Sequence, residues 1–288
     1  MRAQTLALLT SIFYATTLVS ARRGLKYSTP ITVTSVSVLV QNVLLWTGVF
    51  LTGGIPRVAP AALGLFALVG VTQFCVRMFS YTGVDKIGAS RSSALQSVSP
   101  IVSTVIAVVF LHERPPVGVL VGTALVVGGI ALLSGRAKRH IVGFRWWHLL
   151  LPLAAACLTG TNQPIRRYAL SLSSEPLFFA AVMGGVSLLC LLLYLAFFPS
   201  KRRRLVWKRN ALGPFFLTGL AETLSIIFII TALSVGPVSV IAPIATTYPL
   251  WAMIGAAIFL RDMEKITVLT VLGTLSVVAG TTAVILFS

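Results

Sequence analysis

The sequence predicts an all-α membrane protein whose ten transmembrane helices form two inverted five-helix repeats. Three observations carry this expectation. Of the 288 residues, 57% are hydrophobic and 10% charged, with a mean hydropathy of +0.95, whereas a soluble domain carries about a quarter charged residues. The apolar residues fall into ten runs of near-bilayer length, since a spanning helix needs roughly 20 residues. The second half of the chain repeats the pattern of the first.

The first five runs cover residues 6–21, 31–51, 61–81, 92–111 and 117–133, and the second five cover 147–165, 177–198, 211–233, 238–260 and 266–287. Continuous runs of this kind exclude a barrel, because hydrocarbon admits only helices or closed barrels, and barrel strands alternate in polarity. The first run follows a lone Arg2 and ends at Ala21-Arg22-Arg23 without a small-residue cleavage pattern, so it is expected to be a membrane helix. Prolines mark several starts, in Ser28-Thr29-Pro30, Arg114-Pro115-Pro116 and Ser174-Glu175-Pro176, where a missing N–H is tolerated in the first turn. The longest connections are basic and too short for a soluble domain. Residues 1–135 are thus expected to form one repeat, 136–145 a basic linker and 146–288 the second repeat.

Self-similarity supports this division. Tyr14 to Leu25 matches Thr159 to Leu170, and the Pro30 break recurs at Pro176. Gly70 matches Gly219, Gln73 matches Glu222, Pro100 falls on Pro249, and Phe110-Leu111 falls on Phe259-Leu260. After a two-residue insertion Glu113 corresponds to Glu264, Gly122 to Gly273 and Gly129 to Gly280. Five crossings per half is an odd number, so the second half enters the membrane from the opposite side. Inverted repeats are typical of secondary transporters, which hold substrate near the bilayer midplane at the repeat interface.

At these residues the chain resembles the drug/metabolite transporter superfamily, in particular its EamA-like members with ten transmembrane helices. Pro100, then Phe110-Leu111-His112-Glu113-Arg114 and Gly122, recur as Pro249, Phe259-Leu260, Glu264-Lys265 and Gly273. Two departures stand out: Tyr14-Ala15 replaces the Trp-Gly common early in the first helix, and Asp262-Met263 is inserted before Glu264. The resemblance implies transport of amino acids or other small polar metabolites without a cofactor, and a prokaryotic inner (plasma) membrane.

The net charge of +17 does not point to nucleic acid, because Lys and Arg sit in short loops where they set topology and meet anionic lipid. Five of them, Arg2, Arg57, Arg114, Arg166 and Arg167, fall at the N-terminus or in even-numbered loops, and seventeen fall in odd-numbered loops. Odd loops are therefore expected in the cytoplasm, although the resemblance implies cytoplasmic termini instead. Cys75, Cys157 and Cys190 lie in apolar runs without metal or disulfide spacing.

Ionisable groups in hydrocarbon cost at least about 2.5 to 3.5 kcal/mol and so face a bundle interior or a wet cavity. Glu222 is the acidic residue inside a membrane run, and Arg77 follows Gln73 by one turn. Gln73, Arg77 and Glu222 are expected to bind substrate, Arg77 a carboxylate and Glu222 an ammonium or a coupling proton. A purely structural Arg77–Glu222 pair is the alternative. Asn162 and Gln163 precede Pro164, and Tyr14, Tyr248 and Trp251 could wall a cavity or simply pack. Pro100, Pro249 and Pro164 are candidate hinges. Gly118 with Gly122, and Ser276 with Gly280, form small faces suited to packing within the chain or in a homodimer.

No HExxH, GxSxG, paired-aspartate or Walker pattern supports an intramembrane enzyme or an ATP-driven pump, and no filter suggests a channel. A flippase for lipids or lipid-linked sugars, with Arg77 meeting phosphate, remains the alternative of the same architecture.

Overall fold

Helix boundaries in the computed structural model follow the sequence punctuation closely. The structure describes residues 2–87, 92, 95–96, 98–134, 146–202, 204–259 and 268–287. The basic linker 136–145 and the stretch from Asp262 to Lys265 lie outside them.

The first half contains α1 (Arg2–Leu25), α2 (Pro30–Leu51), α3 (Pro60–Ile87), α4 (Ser99–Phe110) and α5 (Val117–Ser134). The second contains α6 (Leu150–Leu172), α7 (Pro176–Phe197), α8 (Arg209–Val235), α9 (Val238–Ala245), α10 (Tyr248–Phe259) and α11 (Val268–Leu286). Pro30, Pro60 and Pro176 each open a helix, as their fixed φ and absent N–H allow. Gly53 and Gly54 close the turn after α2 at φ 120° and 84°, values that favour glycine.

Several boundaries depart from the sequence reading: α3 runs six residues past the third run to Ile87, and α4 begins at Ser99 after a turn at Val98 although the fourth run opens at residue 92. The ninth run is broken at Thr246-Thr247 into α9 and α10, with Pro243 inside the first piece and Pro249 at the second position of the second. The sixth run does not end at residue 165. α6 continues through Pro164 to Leu172, so Arg166 and Arg167 belong to a helix and not to a loop. An interior proline removes only one backbone bond, and the surrounding helices hold the rest of the ladder in place.

The packing is reciprocal between the halves. α3 lies against α6 and α7, while α8 lies against α1 and α2; α4 packs on α6, and α10 on α1. Glycines fix these approaches. A Cβ at Gly70 would come within 2.7 Å of the Met183 carbonyl and of Val186 Cβ, and one at Gly219 within 2.7 Å of Val40 Cβ. Val40 and Val186 share a register, each ten residues after its matched proline. α5 and α11 pair in the same way: a Cβ at Gly122 would meet the Gly280 carbonyl at 2.7 Å, and one at Gly129 the Gly273 carbonyl at 2.7 Å. Since Gly122 matches Gly273 and Gly129 matches Gly280, each contact is the image of the other under a two-fold axis. Ten membrane spans in two inverted repeats follow from this symmetry. The small faces of α5 and α11 are therefore used within the chain.

The main apolar cluster draws chiefly on α7, α8 and α9, and Phe66 of α3 stacks on Phe179 of α7 within it at 4.4 Å. Outward-facing side chains such as Val43, Phe50, Val109 and Leu192 are exposed, as bilayer contact requires.

Candidate functional site

The polar side chains of α3 and α8 meet inside the bundle. Arg77 lies ten residues before the end of α3 and is 2% exposed, its guanidinium turned into the bundle. Its Nε donates to Glu222 Oε1 at 2.7 Å, and a terminal nitrogen donates to Gln41 Oε1 on α2. The Tyr81 hydroxyl donates to Glu222 Oε2 at 3.5 Å. A carboxylate and a guanidinium so buried each relieve the other's desolvation.

A second polar cluster joins α3 to α6. Thr72 Oγ1 donates to Asn162 Oδ1 at 2.7 Å. Arg166 is 4% exposed; its Nη2 donates to Gln73 Oε1 at 3.0 Å and lies 3.4 Å from Met183 Sδ, while Nη1 reaches Gln163 Oε1 at 3.5 Å. An apolar run ending at residue 165 puts Arg166 in an even-numbered loop; its burial within α6 removes it from that loop and widens the loop asymmetry. Its neighbour Arg167 donates to the Leu233 carbonyl at 2.7 Å, joining α6 to α8.

The aromatic residues divide. Tyr14 and Tyr248 meet edge to face at 4.7 Å, and Tyr248 is buried. Trp251, one turn further along α10, borders a cleft of about 1050 Å³ between α1, α8 and α10, at the upper end of small-molecule sites, which run to roughly 1,000 Å³. Ala15, Ser20 and Leu217 share its wall, and Arg23, Lys26 and Asn210 stand at the end nearest the odd-numbered loops. The Ser20 and Thr218 hydroxyls are 2.9 Å apart, and Glu222 follows Thr218 by one turn. The cleft thus includes Trp251, whereas Gln73, Arg77, Asn162 and Gln163 lie outside its wall.

Among the candidate hinges, Pro100 is the second residue of α4 and follows a turn at Val98. Pro249 holds the matching place after Thr246-Thr247. Pro164 lies within a continuous, buried stretch of α6. Glu113 has a structural role: its carboxylate accepts the N–H of Val238 at 2.9 Å and of Ser239 at 3.0 Å. It thereby caps the start of α9, where orphan donors and the helix dipole favour an anion.

Sequence reasoning passed over Gln41, Thr72, Tyr81 and Arg166. The Gln41-Asn42 pair inside an apolar run was an available signal. Asn42 reaches across to the Gly184 carbonyl at 3.0 Å, and Gln41 to Arg77.

The model of the EamA-like transporter family matches residues 1–135 and 145–286. The chain belongs to the EamA-like transporter family. Its two matched stretches are the two inverted repeats, and the family and the apolar helices together make this a multi-pass membrane protein. Twenty-eight solved chains resemble this EamA-like fold. One, described as a crystal structure of a protein, aligns with a TM-score of 0.78 at 15% identity, covering 98% of this chain and 96% of that one. At that identity the likeness is one of fold. No curated protein matches the sequence.

Proposed function

We propose that this EamA-like chain is a secondary active transporter that carries a small polar metabolite between its two halves by alternating access. The observation behind this reading is the buried polar layer contributed by both repeats. Gln41, Arg77 and the half-buried Gln73 come from the first repeat, and Asn162, Arg166 and Glu222 from the second. So many hydrogen-bonding groups in hydrocarbon are costly, and in membrane proteins they mark solute pathways.

The matched helix pairs, α4 with α6 and α10 with α1, are the surfaces at which such a motion takes place. Duplication relates Ala15 to Gly160 and Trp251 to Val102. A Cβ at Gly160 would lie 2.7 Å from the Ser99 carbonyl and from Val102 Cβ, so α6 and α4 are closed on each other. At the matched place α1 and α10 also touch, with Tyr14 against Tyr248 at 4.7 Å, and Ala15 and Trp251 line the cleft that these two helices share with α8. Alternating access closes that cleft and opens one toward the other face, with the turns at Val98 and Thr246-Thr247 absorbing the movement. By charge bias the open cleft faces the cytoplasm. Amino acids and related zwitterions are the first substrate class to test, with Glu222 as the proton-coupling residue and the prokaryotic plasma membrane as the location.

Reconstitution into liposomes loaded with unlabelled amino acids, organic acids or amines, followed by counterflow of the labelled solute, tests the proposal. Saturable accumulation that is lost when Trp251 is replaced by Ala is expected. Absence of counterflow for every solute class, from protein that melts cooperatively, would refute transport.

A further inference from the structure

Among the described residues, the polar layer between the halves contains two guanidinium groups and one carboxylate. Arg77 is neutralised by Glu222. Arg166 is not: its partners Gln73, Gln163 and Met183 are all neutral, and among the described residues its Nε has no partner. Duplication sharpens the contrast, because Gln73 is the repeat counterpart of Glu222. The position that supplies a carboxylate to Arg77 in one half supplies only an amide to Arg166 in the other.

The unpartnered buried groups are also one-sided. They are the N–H donors of Gln41, Arg77, Asn162, Arg166 and Trp251, joined by the Thr104 hydroxyl. Asn162 and Arg166 are four residues apart on α6, so their side chains share a face, and Asn162 Nδ2 and Arg166 Nε are both free to donate. A group that only accepts hydrogen bonds and carries negative charge satisfies such a set, and a guanidinium fork matches a carboxylate or phosphate in geometry. Among the described residues of the layer, an ammonium finds no carboxylate that is not already engaged by a donor. Glu222, the one carboxylate of the layer, already receives Arg77 at Oε1 and Tyr81 at Oε2.

We propose that Arg166, with Asn162 beside it, forms the anion subsite of the transport pathway, so that the cargo of this protein bears a carboxylate or comparable anionic group and needs no ammonium. The inference rests on the transporter reading above and names its substrate class.

Two measurements separate the inference from that reading. Thermal unfolding of the purified protein is followed with benzoate, succinate or inorganic phosphate, against benzylamine and benzyl alcohol as cationic and neutral counterparts, at constant ionic strength. Counterflow of the same solutes is measured in phosphatidylcholine liposomes, with and without phosphatidylglycerol. Stabilisation and counterflow are expected with anions and not with their counterparts. Arg166→Gln is expected to weaken the stabilising anion at least about tenfold, the worth of a charge-assisted bond. Gln73→Glu gives Arg166 an internal carboxylate, so it should weaken the anion by a like factor while the ligand-free protein melts no lower than the parent. Stabilisation by benzylamine alone, or full anion affinity in Gln73→Glu, overturns the inference. Anion stabilisation without counterflow of any solute upholds the subsite and overturns transport. Stabilisation by phosphatidylglycerol but by no soluble anion assigns the subsite to a lipid headgroup and overturns the soluble cargo.

Discussion

Replacing Glu222 by Ala strands the Arg77 guanidinium in a site where it is 2% exposed. What remains to Arg77 is the Gln41 amide oxygen, since Nη1 has no protein partner. A surface ion pair contributes about 0 to 1 kcal/mol because water takes over when it is broken. Here no solvent replaces the carboxylate, and breaking one side of a buried pair costs about 3 to 5 kcal/mol. Arg77→Met on its own leaves Glu222 with only the 3.5 Å Tyr81 contact and is expected to cost a similar amount. The double variant Arg77→Met with Glu222→Leu removes both charges together and fills much of the same volume. It should recover most of the loss, ending within about 1 to 2 kcal/mol of the parent, because an apolar replacement of a buried pair is often near neutral. Reversible unfolding of the purified protein in mixed micelles across the four proteins gives the coupling energy directly. Additivity of the single changes within about 0.5 kcal/mol, the range of independent sites, would show that this pair does not hold α3 to α8.

Gly122→Val should destabilise the protein by about 1 to 3 kcal/mol, the usual penalty of overpacking, because the added Cβ lands 2.7 Å from the Gly280 backbone oxygen, which cannot turn aside. Gly128→Ala, with nothing within 4 Å, should be neutral or slightly stabilising in the same unfolding assay. Glu113→Ala removes the acceptor for two N–H groups of α9 and should cost about 0.5 to 2 kcal/mol, seen as a lower melting temperature; no change would mean that water caps the helix equally well. In a background lacking the three native cysteines, Thr16→Cys, in the cleft wall, should react with a membrane-impermeant maleimide from the cytoplasmic side and not from the outside. Labelling from the outside alone would reverse the proposed orientation.

The membrane class, the ten spans and the inversion were legible because each rests on a local or periodic quantity: run length, proline at helix starts, and glycines recurring at a fixed offset. Glu222 and Arg77 stood out because charge within an apolar run is conspicuous. Arg166 did not, since Pro164 followed by Arg166-Arg167 reads like the end of a span and the start of a basic loop. Its burial depends on Gln73 and Met183, which arrive from α3 and α7 and leave no mark near it in the chain. The break at Thr246-Thr247 was hidden for a related reason. Hydropathy runs unbroken from Val238 to Phe259, and only the spacing of Pro243 and Pro249 hints at two pieces. The cleft belongs to three helices from both halves, so no single segment could announce it.

The glycine contacts between halves have an evolutionary reading. Gly70 needs Val186 and Gly219 needs Val40; Gly122 needs Gly280 as Gly129 needs Gly273. In these pairs the close approach that one half requires is provided by the other, in the same register, as it would be between two upside-down copies of a shorter polypeptide. Within a single chain the matched positions need not be identical: an amide stands at position 73 where a carboxylate stands at position 222. Functional asymmetry could then accumulate in a scaffold whose assembly still obeys the geometry of an antiparallel pair.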